Sequence, residues 1–196
     1  ELKVQRWDDH RYYHHSKVNQ SLHLLSATSF LFAYVVAFTD PAMAALIGWL
    51  VAMTTRQSGH FFFEPKGYDY VNQATHEHKE EIKVGYNLHR KIVLIAIWAL
   101  IPVVVYFWPQ YMTWAVPEAY EDSFIRMVGM CWLFLGVAGL LFRVGQLCIK
   151  QNLQAAFAWA LKILTDPFHD IKMYYRSPVY LLKGELIDPM DHVQSH

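Results

Sequence analysis

Charge is scarce in this chain. Only 17% of its 196 residues are Asp, Glu, Lys or Arg, against roughly 25% in an ordinary soluble domain, and 17 basic residues balance 17 acidic ones. A formal net charge of zero removes the positive field that gathers phosphate backbones, so no nucleic-acid partner is expected. Disorder is excluded by the 54% of hydrophobic residues, which cannot stay solvated. Cysteine is almost lacking: Cys131 and Cys148 lie 17 positions apart around one apolar stretch. On a helix that is roughly 25 Å of rise, too far for a disulfide. There is no CxxC, so buried thiols are expected rather than a redox or zinc motif. An apolar leader is missing too, since Glu1 to Val18 is polar and aromatic, and no cleavable signal peptide is expected. Internal repeats and low-complexity tracts are absent.

What the chain has is apolar length. Four stretches stand out: Leu22 to Phe38, Pro41 to about Phe63, Ile92 to Trp108, and Met127 to Phe142. Each is near the length a helix needs to cross a hydrocarbon core of about 30 Å. The third, IVLIAIWALIPVVVYFW, holds no charge, and the kink its Pro102 imposes is tolerated among membrane helices. The second carries Arg56, Gln57 and His60 in its inner half, and polar groups at that depth face a bundle interior or a wet cavity. A soluble bundle of very apolar helices is the alternative, and the segment lengths with Trp and Tyr near several ends argue against it.

Loop charge orients the spans. With the N-terminus inside, the Thr39-Asp40-Pro41 turn and the loop from Pro109 to Ser123 lie outside, and neither holds Lys or Arg. Of the 17 basic residues only Arg126 falls on that side, which places both termini in the cytoplasm. After the fourth span, Leu153, Phe157, Leu161 and Leu164 recur at helical spacing. They predict an amphipathic helix on the inner interface or packed against the bundle. The expected architecture is all-α: a polytopic bundle of four transmembrane helices over residues 1–149, then a cytoplasmic or interfacial helix and tail over 150–196. The setting is a bacterial inner membrane, or the endoplasmic reticulum in a eukaryote. Gly129, Gly136 and Gly139 suit close helix packing, within the chain or in an oligomer or larger membrane complex.

The 11 histidines all fall on the inner side. His10, His14, His15 and His23 precede or open the first span, His60 closes the second, His76, His78 and His89 lie in the inner loop, and His169, His192 and His196 follow the fourth. His23 and His60 lie within apolar segments near one membrane face, a placement that points to a metal or haem site.

Two constellations carry that chemistry. In His14-His15-Ser16-Lys17-Val18-Asn19-Gln20-Ser21-Leu22-His23, a continuous helix puts His15, Asn19 and His23 on one face. His14 joins them only if a turn before the helix bends it back, so either His14 or His15 is the candidate ligand. Asn19 is placed to hold the His23 ring by a hydrogen bond. In Gly59-His60-Phe61-Phe62-Phe63-Glu64-Pro65, His60 and Glu64 are one turn apart, and Pro65 ends the helix near Glu64. Glu64 is a candidate ligand, an orienting partner for His60, or a solvated charge. Neutral imidazoles with at most one carboxylate suit Fe(II).

HHSKVNQSLH followed by SGHFFFEP resembles the 2-hydroxy fatty acid dioxygenase family, whose pattern is His-x4-Asn-x3-His near the first membrane helix and Gly-His with a nearby Glu at the end of a later one. The matching positions are His14, Asn19, His23, Gly59, His60 and Glu64, and the likeness covers about the first third of the chain. It implies Fe(II)-dependent shortening of 2-hydroxy fatty acids by one carbon with O2, in a lipid bilayer, with histidines binding the iron and Asn19 and Glu64 supporting them. Arg56, Lys66 and Arg11 are candidates to pair with the substrate carboxylate. The chain departs from the family after Glu64, where it reads Pro65-Lys66-Gly67-Tyr68, and the candidates for a fourth histidine are His76 and His78 in THEHKEE, which reads otherwise as a solvated charged loop. Two other classes compete. One is a di-iron hydroxylase or desaturase, imitated by His10-x3-His14-His15 but lacking further boxes; the other is a non-catalytic membrane subunit whose histidines bind haem, a pigment or a partner.

Overall fold

A computed structural model describes residues 1–84 and 88–190; His192 and His196 lie outside the described residues. Helix α1 (Leu2–Tyr13) is followed by three non-helical residues and α2 (Lys17–Val36). Side chains start the helices: Ser16 caps α2 through the Asn19 N–H, and Asp40, with Pro41 behind it, caps α3 (Pro41–Ile47) through the Met43 N–H. The helical path continues to Phe63, but unevenly. A π-helical stretch at Gly48–Met53, helix α4 (Thr54–Ser58) and a second π-helical stretch at Gly59–Phe63 succeed one another. Glu64 is extended (φ −75°, ψ 123°), as the following proline demands. Thr75 caps α5 (His76–Ile82), and α6 (Leu88–Phe107), α7 (Phe124–Lys150), α8 (Leu153–Tyr174) and α9 (Ser177–Leu182) complete an all-helical chain.

Two of the four expected spans, α6 and α7, are long and apolar enough to cross a membrane, each reaching a mean hydropathy of 2.0. Only 6% of the most apolar window of α6 is buried, and Val93, Ile97 and Leu100 face outward. An apolar surface of that kind marks a lipid or protein contact. The other two segments fall short: α2 spends its first turns on Asn19, Gln20 and His23, and the Pro41–Phe63 path is interrupted by π turns and Arg56.

The apolar core joins α3, α6 and α7 through Leu46, Ile101, Val105, Val128 and Trp132. Gly129 makes this possible. A Cβ there would come within 2.5 Å of the Ala42 carbonyl oxygen, so α3 and α7 meet backbone to backbone. Arg126 reaches Asp40 at 3.1 Å, which places the α2–α3 turn and the start of α7 at one end of the bundle. Cys131 and Cys148 are free thiols.

Helix α8 is turned opposite to an ordinary amphipathic helix. Leu153, Phe157, Leu161 and Leu164 are exposed, whereas Lys162, Asp166 and Asp170, at i, i+4 and i+8, are buried. That charged stripe packs toward α1 and α4. Beyond α9 the chain returns as a strap over the α1–α2 junction: Lys17 N–H donates to the Leu186 carbonyl at 2.9 Å, and Asp188 N–H to that of His15 at 2.7 Å. Asp188 also receives Lys17 Nζ at 2.6 Å and Gln20 Nε2 at 2.9 Å.

Candidate metal centre

The break between α1 and α2 sets the first ligand position. At His14 the backbone leaves the helix (φ −117°, ψ 37°) and Ser16 restarts it, so His14 swings back against α2 instead of continuing the α1 face. Its Nε2 lies 3.2 Å from His23 Nε2, which in turn lies 3.2 Å from His60 Nε2. Among the described residues, His14, His23 and His60 form the one group of three metal-ligating side chains whose donor atoms all lie within 4.8 Å of each other. His14 and His23 are buried at 1% and 0% exposure. Burial, reinforced by the nearby His23 ring, holds the His14 imidazole well below its ordinary pKa and therefore neutral.

His15 turns away; its Nε2 meets the Arg11 carbonyl at 2.7 Å and Asp69 Oδ2 at 3.3 Å. His76 is half-buried and His78 exposed, both on α5 and outside the group. The expected hydrogen bond from Asn19 to the His23 ring is corrected by the structure. Asn19 Nδ2 instead donates to the Tyr13 carbonyl at 2.9 Å, while Oδ1 lies against Gly59. Asn19 thus braces the α1–α2 break and spaces α2 from the turn that presents His60.

Glu64 reaches back one turn, its Oε2 2.7 Å from His60 Nδ1. That contact fixes Nδ1 as the protonated nitrogen and aims the Nε2 lone pair at the cluster. Burial pushes the Glu64 carboxyl up to about 6, against the pull of Lys83. A second carboxylate serves His23: Asp170 Oδ2 lies 3.5 Å from its Nδ1 and is held by Arg56 at 2.8 Å. From there the charges run on through Asp166 to Lys162 at 2.6 Å and Asp9 at 3.1 Å. Burial alone would raise the Asp9 carboxyl, but the surrounding positive charges, Lys162 first and Arg56 among them, together hold Asp9 well below the usual carboxylate range. Sequence reasoning missed Asp170, Asp166 and Lys162, although their four-residue spacing on a mostly apolar helix was visible.

The donor set fits a divalent transition metal. Metal–imidazole bonds of about 2.1 Å, opened at tetrahedral or octahedral angles, separate donor nitrogens by about 3.0–3.4 Å. Both close pairs here stand at 3.2 Å. Hydrogen bonding does not account for the convergence, because His23 Nε2 carries either one proton or one lone pair and faces two neighbours.

A cavity of ≈ 590 Å³ opens beside His60. Its walls are largely apolar, with Phe30, Trp49, Met53 and Leu140 among them, and Arg56 and Lys91 stand at its polar part. No family model, curated protein or solved structure matches this chain.

Proposed function

We propose that the chain is a membrane-embedded, Fe(II)-dependent dioxygenase that shortens 2-hydroxy fatty acids by one carbon, with α2 and the Pro41–Phe63 path completing a four-span bundle. The observation that carries this reading is the grouping of His14, His23 and His60, with His60 also lining a large, mostly apolar cavity. His14, His23 and His60 would hold the iron. Bound there, Fe(II) supplies a template for the hydroxy acid and electrons for O2. Held by three histidines, the ion would keep further positions open to the substrate's carboxylate and hydroxyl and to O2. The conversion of one 2-hydroxy acid and one O2 to carbon dioxide, water and the shorter acid balances four electrons without an external reductant.

The protein's own part is to orient and to exclude water. Glu64 sets the plane of His60, Asp170 stands behind His23 at 3.5 Å, burial keeps His14 neutral, and the cavity walls keep the acyl chain out of water. The exposed apolar face of α8 lies on the inner leaflet beside them. A bis-histidine haem fits less well. Trans axial nitrogens stand about 4 Å apart, twice a metal–imidazole bond, with the porphyrin between them, whereas His23 and His60 are at 3.2 Å with His14 beside them. A di-iron centre calls for more ligands than the single three-member group among the described residues supplies.

The test is anaerobic reconstitution with Fe(II) in detergent, followed by O2 and a 2-hydroxy acyl acid, with products identified by mass. A chain-shortened acid is expected, together with loss of iron in His23→Ala and His60→Ala. Bound iron with no shortened product would overturn the activity, and absence of iron would overturn the site.

A further inference from the structure

Five Lys and Arg side chains line the cavity beside His60: Arg11, Arg56, Lys83, Lys91 and Lys162. Four are engaged. Arg11 holds Asp8 at 2.8 Å, Arg56 holds Asp170 at 2.8 Å, Lys83 holds Glu80 at 3.0 Å and Lys162 holds Asp166 at 2.6 Å. Lys91 makes no ion pair or hydrogen bond with any of the described residues. It stands in the first turn of α6, half-buried, and Leu94 one turn further on lines the same cavity. Glu64 gives Oε2 to His60 at 2.7 Å, while its Oε1 is buried without a hydrogen bond and makes no ion pair with Lys91.

A lysine at the end of an apolar helix ordinarily extends its amine into water. Lys91 instead lines a largely apolar hollow, where Glu64, Glu80 and Asp9 act on it only from beyond ion-pair distance and its lost hydration is not replaced by a direct contact. The arrangement becomes favourable when an anion enters. Resting on the reading of this cavity as the substrate site, we propose that Lys91 is its anion anchor, holding the acidic head of a single-chain amphiphile beside His60. The chain then lies along Trp49, Met53 and Leu140. Among the described residues, a single cavity cation without a direct ion pair matches a carboxylate monoanion and leaves a multiply charged phosphate-bearing head uncompensated. Arg56, Arg11 and Lys66 are displaced as anchors: the first two are paired within the protein, and Lys66 is exposed outside the cavity.

The experiment uses the full chain in lipid nanodiscs under argon, so that no turnover occurs, and measures binding of radiolabelled 2-hydroxyhexadecanoic acid and of its methyl ester. Lys91→Met is expected to weaken the acid by about tenfold or more, the worth of one charge-assisted bond, and to leave the ester and the bound iron unchanged. Lys91→Arg keeps most of the affinity for the acid, and Lys66→Met keeps all of it. Unchanged acid binding in Lys91→Met overturns the assignment, and so does an equal loss for acid and ester. The two proposals fail separately. Acid held through Lys91 without chain shortening refutes the dioxygenase alone, whereas normal shortening with undiminished acid affinity in Lys91→Met refutes the anchor alone.

Discussion

Gly59→Ala tests how closely α2 and the His60 turn must approach. A Cβ at Gly59 would lie 2.1 Å from Asn19 Oδ1, against the 3.4 Å at which ordinary contact begins. Asn19 is fully buried and has nowhere to retreat without breaking its 2.9 Å bond to the Tyr13 carbonyl. Leaving that carbonyl unsatisfied costs about 1–3 kcal/mol, and overpacking adds about 1–3 kcal/mol. The better helix propensity of alanine returns up to about 1 kcal/mol, so a net loss of about 1–6 kcal/mol is expected. The same substitution on an Asn19→Ala background has a different sign. With Oδ1 and Cγ gone, the nearest remaining neighbour is the Asn19 Cα at 3.6 Å, an ordinary contact, and Gly59→Ala becomes neutral or stabilising by up to about 1 kcal/mol. Unfolding of the four proteins in mixed micelles measures the cycle, and Co(II) titration reads whether His23 and His60 have been spread apart. Additive stabilities would refute the argument, because they would mean that Gly59 and Asn19 do not touch.

Three further outcomes are expected. His14→Ala should abolish metal binding while His15→Ala retains it, read by metal content after gel filtration; the reverse result would place the ligand on the other histidine. Asp170→Ala should lower metal affinity by about 10–100-fold, as loss of a partner behind a ligating ring does, and destabilise by about 3–5 kcal/mol through the stranded Arg56; an unchanged metal isotherm would remove Asp170 from the site. Asp188 should make the strap acid-sensitive. Burial would raise its carboxyl, but hydrogen bonds from Lys17, Gln20 and the Met190 N–H hold it below the usual carboxylate range. A depressed folded pKa gives stability that is present above the unfolded value of about 3.9 and is lost as pH falls through the folded one. Limited proteolysis should therefore release the tail only in strong acid in the parent chain, and at neutral pH in Asp188→Ala.

Local chemistry explains what could be read ahead of the structure. The apolar runs marked helices because nothing inside them competes with helix formation, and Pro65 announced the end of the His60 turn two residues after Phe63. His23 and His60 stood out as polar groups in apolar surroundings. The choice between His14 and His15 was hidden, because it depends on Ser16 ending one helix and starting another. An uninterrupted helix would have favoured His15. In α8 the periodicity revealed two faces but not which one the bundle takes. That was decided by Arg56, whose partner Asp170 lies 114 residues away, and by Asp9, 153 residues from Lys162. Asn19 was assigned the His23 ring as its partner, whereas its amide donates to the Tyr13 carbonyl freed by the helix break.

The strap over the α1–α2 junction also orders events in time. His14 leaves the ribosome early, whereas Asp188, which grips Lys17 and Gln20 beside it, follows Lys17 by 171 residues. Gln20 in turn donates to the His14 carbonyl at 2.8 Å, so the late segment holds the early one through a single intervening side chain. The three imidazoles therefore reach their final spacing only after synthesis has passed the strap. A metal held by these three imidazoles would then be acquired after translation, behind the returning chain.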